Sequence, residues 1–122
     1  MRRLLTVCAW LIAAFGVASG GYKVAGGVAD LAVFAHLGMA PALVRLFGVV
    51  QAGAGLTLPL RRTGTAAALV LVACNLLATA GLFAAGVQPF GWISLVFVAM
   101  AAAAVPWAKA RATDRLGGPE RP

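Results

Sequence analysis

Apolar residues in this chain gather in long unbroken runs, where a helix lying on a soluble core would show them only at three- to four-residue spacing. The first run extends from Leu4 to Tyr22 without a formal charge and is closed by Gly20, Gly21 and Lys23. Its nineteen residues, at about 1.5 Å each, come close to crossing a ~30 Å hydrocarbon layer. A second run begins at Pro41, a good first-turn residue, and lasts to Leu60, where Arg61 and Arg62 stop it. The third spans Gly64 to Gly86. The fourth, Phe90 to Ala108, follows a short Gly86-Val87-Gln88-Pro89 turn and ends at Trp107 and Lys109. This pattern predicts an all-α membrane protein, a four-transmembrane-helix bundle with spans at about 4–22, 41–60, 64–86 and 90–108 in one transmembrane domain, residues 1–108.

Two segments fall outside the runs. Val24 to Ala40 is less hydrophobic, follows Lys23, carries Asp30 and His36, and reads as a short interfacial helix plus a loop. Residues 109–122 hold six charges, two glycines and two prolines, a composition that predicts a basic, disordered cytoplasmic tail.

Composition agrees with the pattern. The chain has 122 residues, 62% hydrophobic and 11% charged, with a mean hydropathy of +0.96; a soluble domain carries about a quarter charged residues. A soluble enzyme is excluded on that ground. The acids are Asp30, Asp114 and Glu120, too few for paired-carboxylate hydrolysis or an acid-rich metal cage.

The net charge of +7 would point to nucleic acid in a soluble protein, but here its placement reports topology. With the N-terminus inside, Arg2, Arg3, Arg61, Arg62, Lys109, Arg111, Arg115 and Arg121 face the cytoplasm, and of the ten basic residues Lys23 and Arg45 remain outside. Both termini are therefore expected in the cytoplasm. Nucleic-acid binding is not expected, because no aromatics interleave with the basic residues; attraction to anionic headgroups is the simpler role. An alternative for the N-terminus is a signal peptide: Arg2-Arg3, an apolar run, and small residues at Val17-Ala18-Ser19 before Gly20.

Association of helices in lipid rests on close packing of small residues and a few hydrogen bonds. On the second span Gly48, Ala52, Gly55 and Pro59 form one smooth stripe. Gln51 flanks it, about 15 Å below the external end and so near the bilayer centre. Asn75 on the third span lies at a matching depth, with Thr79 one turn away on a face that also carries Gly64, Ala68, Leu71 and Leu82. Gln51 and Asn75 can therefore meet inside the bundle, either as a hydrogen-bonding pair for a carbonyl-bearing ligand such as a quinone, or as interhelical glue.

Arg45, one turn into the second span, either snorkels to headgroups or pairs with Asp30, the one acid expected on that side. His36 is a lone loop histidine, a proton carrier in one reading and a solvated side chain in the other. Cys8 and Cys74 differ in depth by about 9 Å, too far for a disulfide, and read as small buried hydrophobes. The sequence contains no phosphate loop, HExxH, GxSxG or Cys/His cluster, so no metal site, no covalent cofactor and no independent catalytic activity are expected.

Three features together carry a family likeness. Gly21-Tyr22-Lys23 closes the first span, Phe34-Ala35-His36-Leu37-Gly38-Met39-Ala40-Pro41 follows, and Leu43 to Leu58 carries Gly48, Gln51, Gly55 and Leu58. In these the chain resembles the DoxX-like family of small bacterial four-span membrane proteins, which show a Lys closing the first span, a phrase like F-x-x-L-G-x-P and a second span of the form G-x-x-E-x-x-G-x-x-L-L. Gln51 stands where that pattern has Glu, so hydrogen bonding is kept and ionisation lost. The resemblance implies a four-helix bundle in the bacterial inner membrane and a redox-linked role.

Two functions of different class follow. One is an accessory or scaffold subunit of a membrane assembly, binding a protein partner or a second copy through its small-residue faces. The other is a quinone-linked oxidoreductase component with a lipid-accessible pocket near Gln51 and Asn75, with Thr79, Arg45, Asp30 and Lys23 as further polar contacts.

Overall fold

Each apolar run becomes a helix in the computed structural model, which describes residues 2–117. The elements in chain order are α1 (Arg2–Val24), α2 (Val28–Ala35), α3 (Pro41–Thr57), α4 (Gly64–Ala84) and α5 (Gln88–Gly117). No strand occurs among the described residues. The interfacial helix expected between the first two runs is α2.

Three helices, α1, α4 and the Pro89–Thr113 stretch of α5, are long and apolar enough to cross a membrane. At 17 residues α3 is shorter than the expected 41–60 span, covering about 25 Å at 1.5 Å per residue. Its end has a local cause. Pro59 has no N–H to give to Gly55 and its ring crowds the preceding turn, so the helix closes on the Leu58 N–H to Ala54 O bond.

The four long elements run up and down. Most of the packing is α1 along α3 and α4 along α5; α1 against α5 and α3 against α4 close the ring, and α2 lies over the end where it touches α3 and α4. The size gradient in this bundle is the reverse of a soluble one. Buried positions are dominated by small residues, among them Ala9, Ala13, Ala54, Ala68, Ala101 and Ala104, with Ile12, Leu58 and Leu71 between them. Large side chains such as Leu46, Leu56, Leu69, Trp92 and Val96 point outward. In lipid, an outward leucine costs nothing while an inward alanine lets backbones approach.

The tightest approach is between α1 and α3. A Cβ on Gly20 would lie 2.5 Å from Gly48 O, and one on Gly48 would lie 2.6 Å from Gly20 O, so the two backbones are in direct contact there. Gly55 meets α1 again lower down, at Ala13 O and Val17 N, and Ala52 Cβ sits against Gly20. The expected packing stripe Gly48, Ala52, Gly55 is thus spent inside the chain, on α1.

The last helix corrects another expectation. The tail was expected to lose order from Lys109, yet α5 runs on to Gly117; residues 118–122, with Glu120 and Arg121, lie outside the described residues. Lys109 to Leu116 contains no Gly or Pro and several good helix formers, so the first strong stop is Gly117-Gly118-Pro119. Arg111 also ties this extension to the bundle, donating to Pro59 O at 2.6 Å.

Candidate ligand-binding pocket

The pocket is organised by the turn after α1. Gly26 takes φ +82°, a left-handed conformation that a residue with a Cβ rarely adopts. Gly27 N–H then reaches Tyr22 O at 2.9 Å and Gly26 N–H reaches Lys23 O at 3.0 Å, a Schellman ending that sends the chain back over the helix it has just left. As a result α2 starts above the end of α1, and Asp30 in its first turn faces Lys23.

Lys23 is only 2% exposed, Asp30 26%. The Lys23 Nζ lies 3.2 Å from Asp30 Oδ2 and donates to Ser19 Oγ at 2.8 Å. It also stands 5.6 Å from the centre of the Phe34 ring and 5.3 Å from that of Phe47, so two aromatic faces complete its shell. A lysine this deep persists because a carboxylate, a hydroxyl and two rings replace its water.

The Asp30 to Arg45 pairing is therefore not what forms. Arg45 is exposed and its guanidinium rests beside Gly26, where a Cβ would come within 2.9 Å of it. His36 is likewise exposed, its Nδ1 2.9 Å from Ala32 O one turn back.

Below the ion pair a cavity of about 240 Å³ opens between the helices. Lys23, Asp30, Gln51, Asn75 and Ser94 supply its polar lining, and Ser19 adds a hydroxyl. Its walls are aromatic: Phe15 and Phe97 stack at 4.1 Å between centroids with 13° between planes, and Phe34 closes the upper side. Phe90 and Ile93 also line it, although both are more than half exposed on the outside of α5, so the cavity opens sideways past that helix. In a bilayer that direction is lipid.

Gln51 and Asn75 come together on this cavity, both buried, at 1% and 2% exposure, without bonding to each other. Asn75 Nδ2 donates to Leu71 O at 2.7 Å; Thr79 Oγ1 donates to Asn75 O at 2.8 Å and shares a 2.7 Å bond with Ser94 Oγ on α5. Gln51 is treated differently. Its Oε1 is fully buried and has no hydrogen-bond partner, alone in this among the described side chains. Such an atom costs about 1–3 kcal/mol to leave unpaired.

Of the residues singled out from the sequence, Lys23, Asp30, Gln51 and Asn75 line the cavity and Thr79 bonds to its lining residue Ser94; of the two readings open for Arg45, the pair with Asp30 does not form, and Ser94, Ser19 and the aromatic walls carried no expectation. Ser94 had one available signal: it is the one hydroxyl in the Phe90 to Ala108 run. Among the described residues no three His, Cys, Asp or Glu side chains gather as a metal site, and Cys8 and Cys74 are both free thiols.

Fold and site together define a class: a small helical membrane protein with an inside-out size gradient and a half-polar cavity under one end. No protein-family model, curated protein or solved structure matches the chain.

Proposed function

We propose that the chain is an accessory subunit of a bacterial inner-membrane assembly, crossing the bilayer four times with both termini in the cytoplasm, and that its cavity holds a quinol-type ligand. The observation that carries this reading is the buried, unpartnered Gln51 Oε1, on a side chain that lines the cavity beside Phe90 and Ile93. A buried acceptor left single inside a protein that pairs its neighbouring Asn75, Thr79 and Ser94 fits a donor arriving from outside.

The remaining lining supports a ring with oxygen substituents. Stacked Phe15 and Phe97 offer a flat apolar wall, and Lys23 and Asp30 place a donor and an acceptor side by side at the upper edge. About 240 Å³ accommodates one substituted ring but not a long tail. The sideways opening past Phe90 and Ile93 lets a tail remain in the bilayer. With Gln51 in the mid-membrane position, ligand binding needs no ionisable group there. The α3 helix spans its leaflet pair with help from Leu58, Pro59 and Leu60, which continue apolar up to Arg61.

The test is binding of a short-chain quinol to the purified protein in detergent, followed by thermal shift and by quenching of intrinsic fluorescence, beside the Gln51→Leu variant. Wild type should bind and be stabilised. The variant, relieved of its unpaired acceptor, should be as stable as wild type or about 1–2 kcal/mol more so in the absence of ligand, yet lose the quinol-induced shift. Absence of binding to wild type, or equal binding by the variant, overturns the reading.

A further inference from the structure

At the opposite end of the bundle lies a second cavity, of about 350 Å³, with a different chemistry. Arg2, Thr6 and Trp10 line it from α1, one above another at four-residue spacing, and Trp107, Ala110 and Arg111 face them from α5. Its wall is fixed by hydrogen bonds. Trp107, 9% exposed, donates from Nε1 to Thr6 Oγ1 at 3.1 Å, which locks the two helices together at this level. The Arg111 guanidinium stacks on the Trp107 ring at 4.6 Å and spends one of its N–H groups on Pro59 O. Among the described residues, neither Asp nor Glu lines the cavity.

Trp10 is also a wall of a third cavity, of about 290 Å³, which continues along the outside of the α1 and α3 contact. Here the lining is Ala13, Ala14, Val17, Gly55, Leu56 and Pro59, apolar throughout. The small residues that bring α1 and α3 into contact leave a trough beside it, because Ala13, Ala14 and Gly55 fill so little space. The two cavities share Trp10 as a wall, so a doubly cationic pocket lies next to an apolar groove between α1 and α3.

We propose that these adjoining cavities together form a binding site for one anionic phospholipid, its phosphate between Arg2 and Arg111 and one acyl chain passing Trp10 to lie along the groove. Charge complementarity selects the head: two guanidinium groups, with no carboxylate among the described lining residues, favour a headgroup of net negative charge over a zwitterionic one. The groove selects the tail, since a free phosphate or a soluble polyanion has no use for six apolar residues below its site. The indoles of Trp10 and Trp107 stand where the glycerol region would lie, the usual depth of interfacial tryptophan. The site is independent of the quinol cavity, which lies at the other end of α1.

The experiment is native mass spectrometry of the full chain released from detergent, titrated with dioleoyl-phosphatidylglycerol or dioleoyl-phosphatidylcholine, with inorganic phosphate as a competitor. One phosphatidylglycerol should be retained in preference to phosphatidylcholine, and millimolar phosphate should not displace it. Arg2→Gln with Arg111→Gln should weaken phosphatidylglycerol retention roughly thirtyfold, at about fivefold per cation, and bring it to the phosphatidylcholine level. The pair Arg2→Lys with Arg111→Lys, which keeps charge and guards against misfolding as the explanation, should restore most of the preference. Ala14→Phe, on an exposed position, should fill the groove and weaken retention severalfold with the cations intact. Equal retention of the two lipids, displacement by phosphate, an unaffected glutamine pair, lysines that fail to rescue, or an unaffected Ala14→Phe variant each overturns the proposal.

Discussion

The Lys23 and Asp30 pair allows a test in which the two halves of one interaction are expected to differ. Asp30→Asn leaves an ammonium that is 2% exposed, with Ser19 Oγ and two rings but no counter-charge. Breaking a buried pair from one side costs about 3–5 kcal/mol, and Lys23 is deep enough to suffer the lower part of that range in full. Lys23→Met keeps the length and apolar contacts of the stem and leaves Asp30 as the widow, but Asp30 is 26% exposed and can draw on solvent or headgroups. Its cost should therefore be only about 1–2 kcal/mol. The double variant has no buried charge left and should lie close to Lys23→Met alone, so the coupling equals the Asp30→Asn cost, about 3 kcal/mol. Reversible unfolding in mixed micelles of dodecyl maltoside and sodium dodecyl sulfate, followed by helical circular dichroism, gives the four free energies of the cycle. The reasoning is refuted if Asp30→Asn costs no more than Lys23→Met, or if the two effects add to within about 0.5 kcal/mol.

Two further outcomes follow from the packing. Gly20→Ala must push a methyl into Gly48 O, at 2.5 Å, and should destabilise by about 1–3 kcal/mol, whereas Gly21→Ala meets nothing within 4 Å and should be neutral or gain up to ~1 kcal/mol of helix propensity; the same unfolding assay compares these neighbours. Thr79→Val removes the 2.7 Å bond to Ser94 and should cost about 0.6 kcal/mol, the mean for such bonds in membrane proteins, with Ser94→Ala giving a similar loss and the double variant no more than either.

What the sequence made legible was the part governed by composition along one dimension. Unbroken apolar runs, bounded by Lys23, Pro41, Arg61-Arg62 and Gly86, mark the helices to within a few residues, because hydrocarbon leaves the backbone no alternative to helix; the exception is the C-terminal end of α5, which runs nine residues past Ala108. The small-residue stripe on α3 was legible as a face, but sequence gives no sign of which neighbour occupies it; that required knowing that Gly20 on α1 stands opposite Gly48. Depth counting put Gln51 and Asn75 at one level, and they do share a cavity. Depth does not reach Asp30, because counting along helix axes treats a turn as a spacer, while the Gly26 turn folds α2 back onto Lys23. The pairing alternative for Arg45 and Asp30 rests on side of the membrane alone, and side does not say which way a residue faces. Ser19 and the ring stack of Phe15 on Phe97 went unseen since serine and phenylalanine inside an apolar run are ordinary residues there.

The turn that pairs Lys23 with Asp30 also bears on how the chain is made. Only seven positions separate the two residues, and the backbone bonds that close the turn lie between Gly21 and Gly27. A ribosome therefore finishes the whole neutralised unit before the first residue of α3 has been added. During biogenesis the ammonium does not have to wait, unshielded, for a later helix to arrive: α1 with its short return can move from the insertion machinery into lipid as one electrically balanced piece, and the later helices assemble on a partner whose most costly charge has already been answered.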